Sequence, residues 1–165
     1  YMQSFDTAYD TPLEDRLDRK GDMSVRIQSV KIENADIGKP IRPGSRLKIN
    51  VHYTSDKPVR FPRLNIRIRD FRTHSNLIQL DTDIKAGLPE VLSPTGKIVC
   101  IIEDLYLTPG RCTTDIQFKR GMTTTDEIEH AAYFDVETGD VYGSGKLPSR
   151  EEAFYLPKYE WTCES

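Results

Sequence analysis

Leu47-Lys48-Ile49-Asn50-Val51-His52-Tyr53 alternates apolar and polar side chains without a slip. Successive side chains of a strand point to opposite faces, so this stretch reads as a strand with one buried face and one wet face. The same period extends in both directions. Upstream, Val25, Ile27, Val30 and Ile32 mark a strand whose alternation slips near Ser29, as a β-bulge would make it. Downstream, Leu64, Ile66 and Ile68 alternate with Asn65, Arg67 and Arg69, and Leu77 to Leu80 is a short strand. Ile98 to Leu107 is a long, mostly apolar one. Cys112, Thr114, Ile116 and Phe118 then alternate with Arg111, Thr113, Asp115 and Gln117. Ala132, Phe134 and Val136 form a further strand, and Phe154 to Trp161 predicts another. Turn residues separate these runs at Pro43-Gly44, Lys57-Pro58, Ser93-Pro94-Thr95-Gly96 and Pro109-Gly110. Strands at this spacing with almost no helical period predict an all-β, antiparallel sandwich of about seven to nine strands.

Residues 1–21 are polar and turn-rich, and we expect a linker there; Leu13 to Lys20 could add about two turns of charged helix before Gly21. The sandwich is expected over 22–165. Because the chain begins at Tyr1 rather than Met, we read it as a piece of a longer protein.

The 165 residues carry 23 Lys+Arg against 26 Asp+Glu, a formal net charge of −3, which argues against a general nucleic-acid binder. A chain of that length buries roughly 70% of its unfolded surface, so no staple is needed to hold a core. Hydrophobic residues at 37% and charged residues at 30% suit a globular domain, and no apolar run reaches the ~18 residues of a membrane span. Cys100, Cys112 and Cys163 fit neither a disulfide framework nor a zinc spacing, which reads as a reducing compartment.

Templates for catalysis and cofactors mostly fail. Gly139-Asp140-Val141-Tyr142-Gly143-Ser144-Gly145-Lys146 resembles a phosphate-binding loop, but it has one residue too many before Gly-Lys, and Leu147 stands where a magnesium-binding hydroxyl belongs. His52, His74 and His130 lie on separate segments without metal-ligand spacing. Asp81-Thr82-Asp83 suggests a metal-assisted sugar-modifying enzyme as the least favoured reading, since paired aspartates are common in turns. We expect no cofactor, no metal and no catalytic residue.

Binding groups are more evident. Alternation places Lys48, Asn50 and His52 on one outward face, and Asn65, Arg67 and Arg69 likewise; Asp115 and Gln117 share a third, and Tyr133 stands opposite the inward Phe134. Amide, imidazole, guanidinium, carboxylate and phenol groups on a rigid sheet suit hydrogen bonding to a sugar and stacking on its ring. The candidate carbohydrate-binding residues are therefore Asn50, His52, Asn65, Arg67, Arg69, Asp115, Gln117 and Tyr133. Lys57 to Arg72 is rich in cations, whereas Asp126 to Asp140 holds acids with no Lys or Arg. The plainer reading is that these segments neutralise one another within the chain or across an interface, which would make this an assembly module instead.

The order of motifs adds a resemblance. Gly21-Asp22-Met23-Ser24-Val25-Arg26-Ile27 comes first, then Pro43-Gly44-Ser45-Arg46-Leu47-Lys48-Ile49 and Asn65-Ile66-Arg67-Ile68-Arg69-Asp70. Leu105-Tyr106-Leu107-Thr108-Pro109-Gly110 and Ala132-Tyr133-Phe134-Asp135-Val136 complete the series. Over roughly 21–161 the chain resembles the C-terminal carbohydrate-binding domain of the ATP-binding subunit of ABC transporters that export O-antigen polysaccharide. Arg72-Thr73-His74-Ser75 stands where that family tends to have a turn glycine, and Cys112 where it tends to have an aromatic residue. The resemblance implies an immunoglobulin-like sandwich and a homodimer with exchanged C-terminal strands. It implies a position at the cytoplasmic, inner face of the bacterial inner membrane, and recognition of a completed, often end-modified, polysaccharide glycan without catalysis. Residues 1–21 would then be the tether from an ATPase domain that contacts the transporter's membrane subunit. Family binding residues vary with the glycan, so none is carried over.

Overall fold

A computed structural model describes residues 12–164. Its elements are β1 (Val25–Asn34), β2 (Ser45–Ser55), β3 (Val59–Arg60), β4 (Pro62–Asp70), β5 (Asn76–Asp81), β6 (Val91–Leu92), β7 (Thr95–Leu105), β8 (Gly110–Arg120) and β9 (Thr123–Val136), preceded by a 3-10 turn at Leu13–Asp15. One sheet runs β1-β2-β7 and the other β5-β4-β8-β9, with β3 and β6 as a small separate pair. Every strand pairing is antiparallel. The architecture is the expected immunoglobulin-like β-sandwich.

The inward positions of the two sheets form one core. Ile27, Leu47, Ile49, Ile68 and Phe118 have no exposed surface, and Tyr53 packs its ring 5.8 Å from Phe118 while its hydroxyl donates to the Ser93 carbonyl. The slip near Ser29 is real: the β1–β2 register shifts between Ile27 and Ser29. β9 extends well upstream of Ala132, through a second irregularity where the register shifts between Thr114 and Ile116 and His130 takes a φ of 52°.

Both ends of the described stretch depart from expectation; residues 1–11 of the expected linker lie outside the described residues. No charged helix follows Leu13; the 3-10 turn ends at Asp15, Leu13 joins the core, and Leu17 is 96% exposed. Residues 12–21 are also not a loose tether. Arg19 pairs with Asp126, whose side chain is fully buried, and donates to the carbonyls of Leu13 and Ile27. Arg16 grips the carbonyls of Glu129 and His130 at 2.7 and 2.8 Å, and Lys20 forms an isolated antiparallel bridge with Glu127. Two arginines therefore knit this segment to the edge of β9, because a buried cation is tolerated only where its donors all find acceptors.

At the other end, the strand expected over Phe154 to Trp161 is absent; Tyr155 makes an isolated bridge to Leu107. The segment is held instead by Arg150, which pairs with Asp70 at 2.8 Å and donates to the Thr108 carbonyl at 2.7 Å. Gly110, at φ 155°, lets that guanidinium in, since a Cβ there would lie 2.9 Å from its central carbon.

Candidate functional site

Register decides which candidate residues meet. Asn65 faces Gln117, and Arg67 faces Asp115, across β4 and β8. Asp81 and Gln79 of β5 lie beside Asn65 and Arg67, and Glu127 of β9 lies beside Gln117. Asn65, Arg67, Arg69, Asp115 and Gln117 thus share the outer face of the β5-β4-β8-β9 sheet. With Glu127 and Glu129 they line a shallow groove of about 110 Å³. Tyr133 lies on the same face beyond Thr113, 43% exposed, with the Arg111 guanidinium over its ring at 4.6 Å.

Asn50 and His52 are not brought to this face. They belong to β2, on the outer surface of the opposite sheet. Asn50 is 5% exposed, and its amide donates to the Lys31 carbonyl at 3.4 Å. His52 Nδ1 meets Ser29 Oγ at 3.1 Å. A ligand lying on one sheet surface does not reach the other through a core about 10 Å thick.

In and beside the groove several groups are already paired. Asn65 donates to Asp81 at 2.9 Å, Arg63 pairs with Asp83, and Arg69 Nε lies 3.0 Å from Asp115. That last contact is an ion pair without the alignment of a hydrogen bond, since the buried Nε has no acceptor by angle. Asp115 is occupied further by the His130 backbone N–H at 3.0 Å. Arg67 is different. Among the described residues it has no ion pair, and its buried Nε has no acceptor.

Glu127 and Glu129 line the groove, and Gln79 and Asp81 stand beside it by register, yet the candidate set lacks all four. The acid-rich stretch hinted at the glutamates, but only the β8–β9 register places Glu127 beside Gln117. At the end of the row, the rings of His74 and His130 stand 5.3 Å apart, both residues in left-handed backbone. Burial lowers the His130 imidazole below its ordinary range, against the opposing pull of Asp115.

The other motifs resolve into structural roles. Asp81 accepts the Asp83 backbone N–H as a turn aspartate. In the glycine-rich loop, Asp140 Oδ1 accepts the N–H groups of Gly143 and Gly145, so the loop is capped by its own carboxylate. Among the described residues, no three His, Cys, Asp or Glu side chains stand together in a way that could hold a metal ion. No helix among them is long and apolar enough to cross a membrane.

Against this geometry stand the comparisons. The profile of the Wzt C-terminal domain matches residues 16–147. The crystal structure of a Wzt C-terminal domain superposes with a TM-score of 0.68 at 13% identity, covering 96% of each chain. A β-glucuronidase from Parabacteroides merdae gives a TM-score of 0.43 at 12% identity, over 70% of this chain and 13% of that one. A CARDB domain from Pyrococcus furiosus gives 0.42 at 13% identity, over 76% and 97%. No curated protein matches the sequence significantly.

Proposed function

The chain belongs to the Wzt C-terminal domain family, the C-terminal domains of an ABC-transporter subunit, and from that premise we propose that it is a non-catalytic module recognising a polysaccharide for export. The observation that carries the reading is Arg67: a guanidinium on a central strand, in a groove lined by amide and carboxylate groups, with no ion pair among the described residues and a buried Nε without an acceptor. Its planar fork matches a pair of sugar hydroxyls or an acidic substituent, and the neighbouring amides and carboxylates supply donors and acceptors for the rest of the ring. The binding set is Asn65, Arg67, Arg69, Asp115 and Gln117, with Glu127, Glu129 and Tyr133 around them.

The groove is shallow and open, so its affinity is modest, with Kd on the order of 1 μM to 1 mM. In the exporter the domain sits on the cytoplasmic side of the inner membrane and acts as a homodimer whose C-terminal segments exchange. The exposure of Tyr159 and Trp161, past the stretch that Arg150 and the Tyr155–Leu107 bridge hold to its own chain, supports such exchange for the last residues. Those exposed rings also favour a second reading, an assembly module whose partner is protein. Titration with O-polysaccharide from the same source, followed by NMR, separates the two. We expect saturable shifts on the β4–β8 face, and Arg67→Ala should weaken binding about tenfold to a hundredfold, the worth of one charged hydrogen-bonding group. A folded domain with unaltered binding after that change removes Arg67 from the site; no binding at all moves the function to assembly.

A further inference from the structure

A pocket of about 450 Å³ opens at one end of the sandwich, lined by the turn after β4, by Pro109 and Gly110, and by Arg150 to Phe154 of the C-terminal segment. That volume is within the range of small-ligand sites, roughly 300 to 1,000 Å³. We propose that it is a second saccharide subsite, one that takes an uncharged pyranose carrying an apolar substituent, of which a 6-deoxyhexose is the type; the inference rests on the polysaccharide reading above.

Its charge balance gives the ligand class. Three arginines stand around the pocket, and each is matched. Arg150 pairs with Asp70 at 2.8 Å, Arg72 with Glu151 at 2.7 Å and Arg111 with Asp135 at 2.8 Å. The Arg150–Asp70 pair is buried, so a charged ligand at that wall would have to break it, while the exposed Arg72–Glu151 and Arg111–Asp135 pairs leave the rim without net charge. Apart from Thr73 and Gly110, the remaining walls are apolar: Phe71, Pro109 and Phe154, the last 37% exposed. Flat aromatic walls suit the C–H face of a sugar ring, and a methyl group in place of a hydroxymethyl adds apolar contact while removing a hydroxyl that the phenyl rings cannot satisfy.

Its position gives the link to the groove. The Arg111 guanidinium lies 5.5 Å from the Phe71 ring and 4.6 Å from the Tyr133 ring, so one cation joins the pocket wall to the sheet face. Tyr133 continues past Thr113 to the Arg69 and Asp115 row. A polymer bound along the outer face therefore has a continuous path into the pocket. The two subsites differ in chemistry: the groove carries an unmatched guanidinium, and the pocket is charge-compensated and aromatic.

The test is an amide NMR titration of the whole chain with methyl glycosides in the gluco, manno and galacto series, each as the hexose, the 6-deoxyhexose and the uronate. We expect 6-deoxy sugars to shift Phe71, Gly110 and Phe154, with affinity roughly fourfold above the parent hexose for one buried methyl group. Uronates should bind there most weakly. Phe154→Leu, which keeps the segment apolar while removing the ring, should abolish these shifts and leave those of the polysaccharide at Asp115 and Gln117. Uronates binding best, or no pocket shifts with any sugar while the groove responds to polysaccharide, would overturn the pocket alone. Silence at both sites would overturn the polysaccharide reading as well.

Discussion

Replacing Arg150 by Ala tests how the C-terminal segment is held. Its side chain is 10% exposed and that of Asp70 is 4% exposed, and the guanidinium also serves the Thr108 carbonyl and hydroxyl. Removing one partner of a buried pair leaves the other charge uncompensated, a loss of about 3 to 5 kcal/mol. Asp70 keeps the backbone N–H and hydroxyl of Thr73, both at 2.9 Å, so the lower end applies. About 3 kcal/mol in a domain of this size lowers Tm by about 6 to 12 °C. The pH dependence carries its own sign. Burial pushes the Asp70 carboxyl up, but hydrogen bonds from Thr73 and Arg150 outweigh it and hold the carboxyl below its usual value. A depressed carboxylate stabilises above its unfolded pKa of about 3.9, and the contribution is lost as pH falls through the folded value. The gap in Tm between the wild type and R150A should thus be full at pH 7 and narrow below about pH 4. Adding Asp70→Asn to R150A should recover part of the loss by removing the stranded charge. Arg46→Ala, at an exposed pair with Glu103, is the control and should leave Tm unchanged. Scanning calorimetry across pH reads all four proteins. If R150A melted within 2 °C of wild type at pH 7, or if the gap stayed constant into acid, the latch argument would fail.

Three further outcomes are expected. Arg19→Ala strands Asp126 in the core and frees the carbonyls of Leu13 and Ile27, so urea denaturation should show a loss of about 3 to 5 kcal/mol; a loss under about 1 kcal/mol would mean that the N-terminal segment is not integral. At Gly21, φ is 123° and a Cβ would fall 2.3 Å from the Thr125 carbonyl oxygen, so Gly21→Ala should destabilise by about 1 to 3 kcal/mol in the same assay. Burial pushes the Cys112 thiol up to about 11, leaving about one thiolate in a thousand at pH 8. In a thiol-reagent time course, exposed Cys163 should react first, half-buried Cys100 slowly, and Cys112 only after unfolding.

The sequence disclosed whatever depends on local period. The core face of β2, the slip at Ser29 and the outward Asn65, Arg67 and Arg69 follow from alternation alone. Sheet membership did not, because alternation says which way a residue points and nothing about which strand lies beside it. Asn50 and His52 carry suitable chemistry and an outward parity, yet β2 belongs to the other sheet. The first half of β9 was hidden because Asp126 sits at a core position, where its pairing with Arg19 and the Ile27 backbone N–H, both remote in sequence, make a carboxylate tolerable. The same remoteness disguised residues 12–21, whose charged composition suggests a solvated tether while Arg16 and Arg19 are buried against β9. His74 shows how a turn can hold a left-handed residue without a glycine. It adopts φ 61° in a turn tied by Thr73 and Ser75 to Asp70, so local hydrogen bonds offset the strain of a left-handed side chain.

Arg63, Arg67 and Arg69 have the same parity on one strand, and nothing in the sequence separates them. What separates them is the supply of carboxylates opposite. Asp83, in the turn after β5, meets Arg63. Asp115 is the register partner of Arg67, yet its carboxylate lies against Arg69 and accepts the His130 N–H produced by the irregularity in β9. On the β5 side Arg67 faces Gln79, which carries no charge. Asp115 is taken up by Arg69, and although Glu127 and Glu129 line the same groove neither forms an ion pair with Arg67. A side chain left unmatched in this way contributes nothing to folding that a neutral residue could not, because its Nε is buried without an acceptor. Its place on β4, between β5 and β8, is what the proposed glycan contact rests on, and the Arg67→Ala titration is its test.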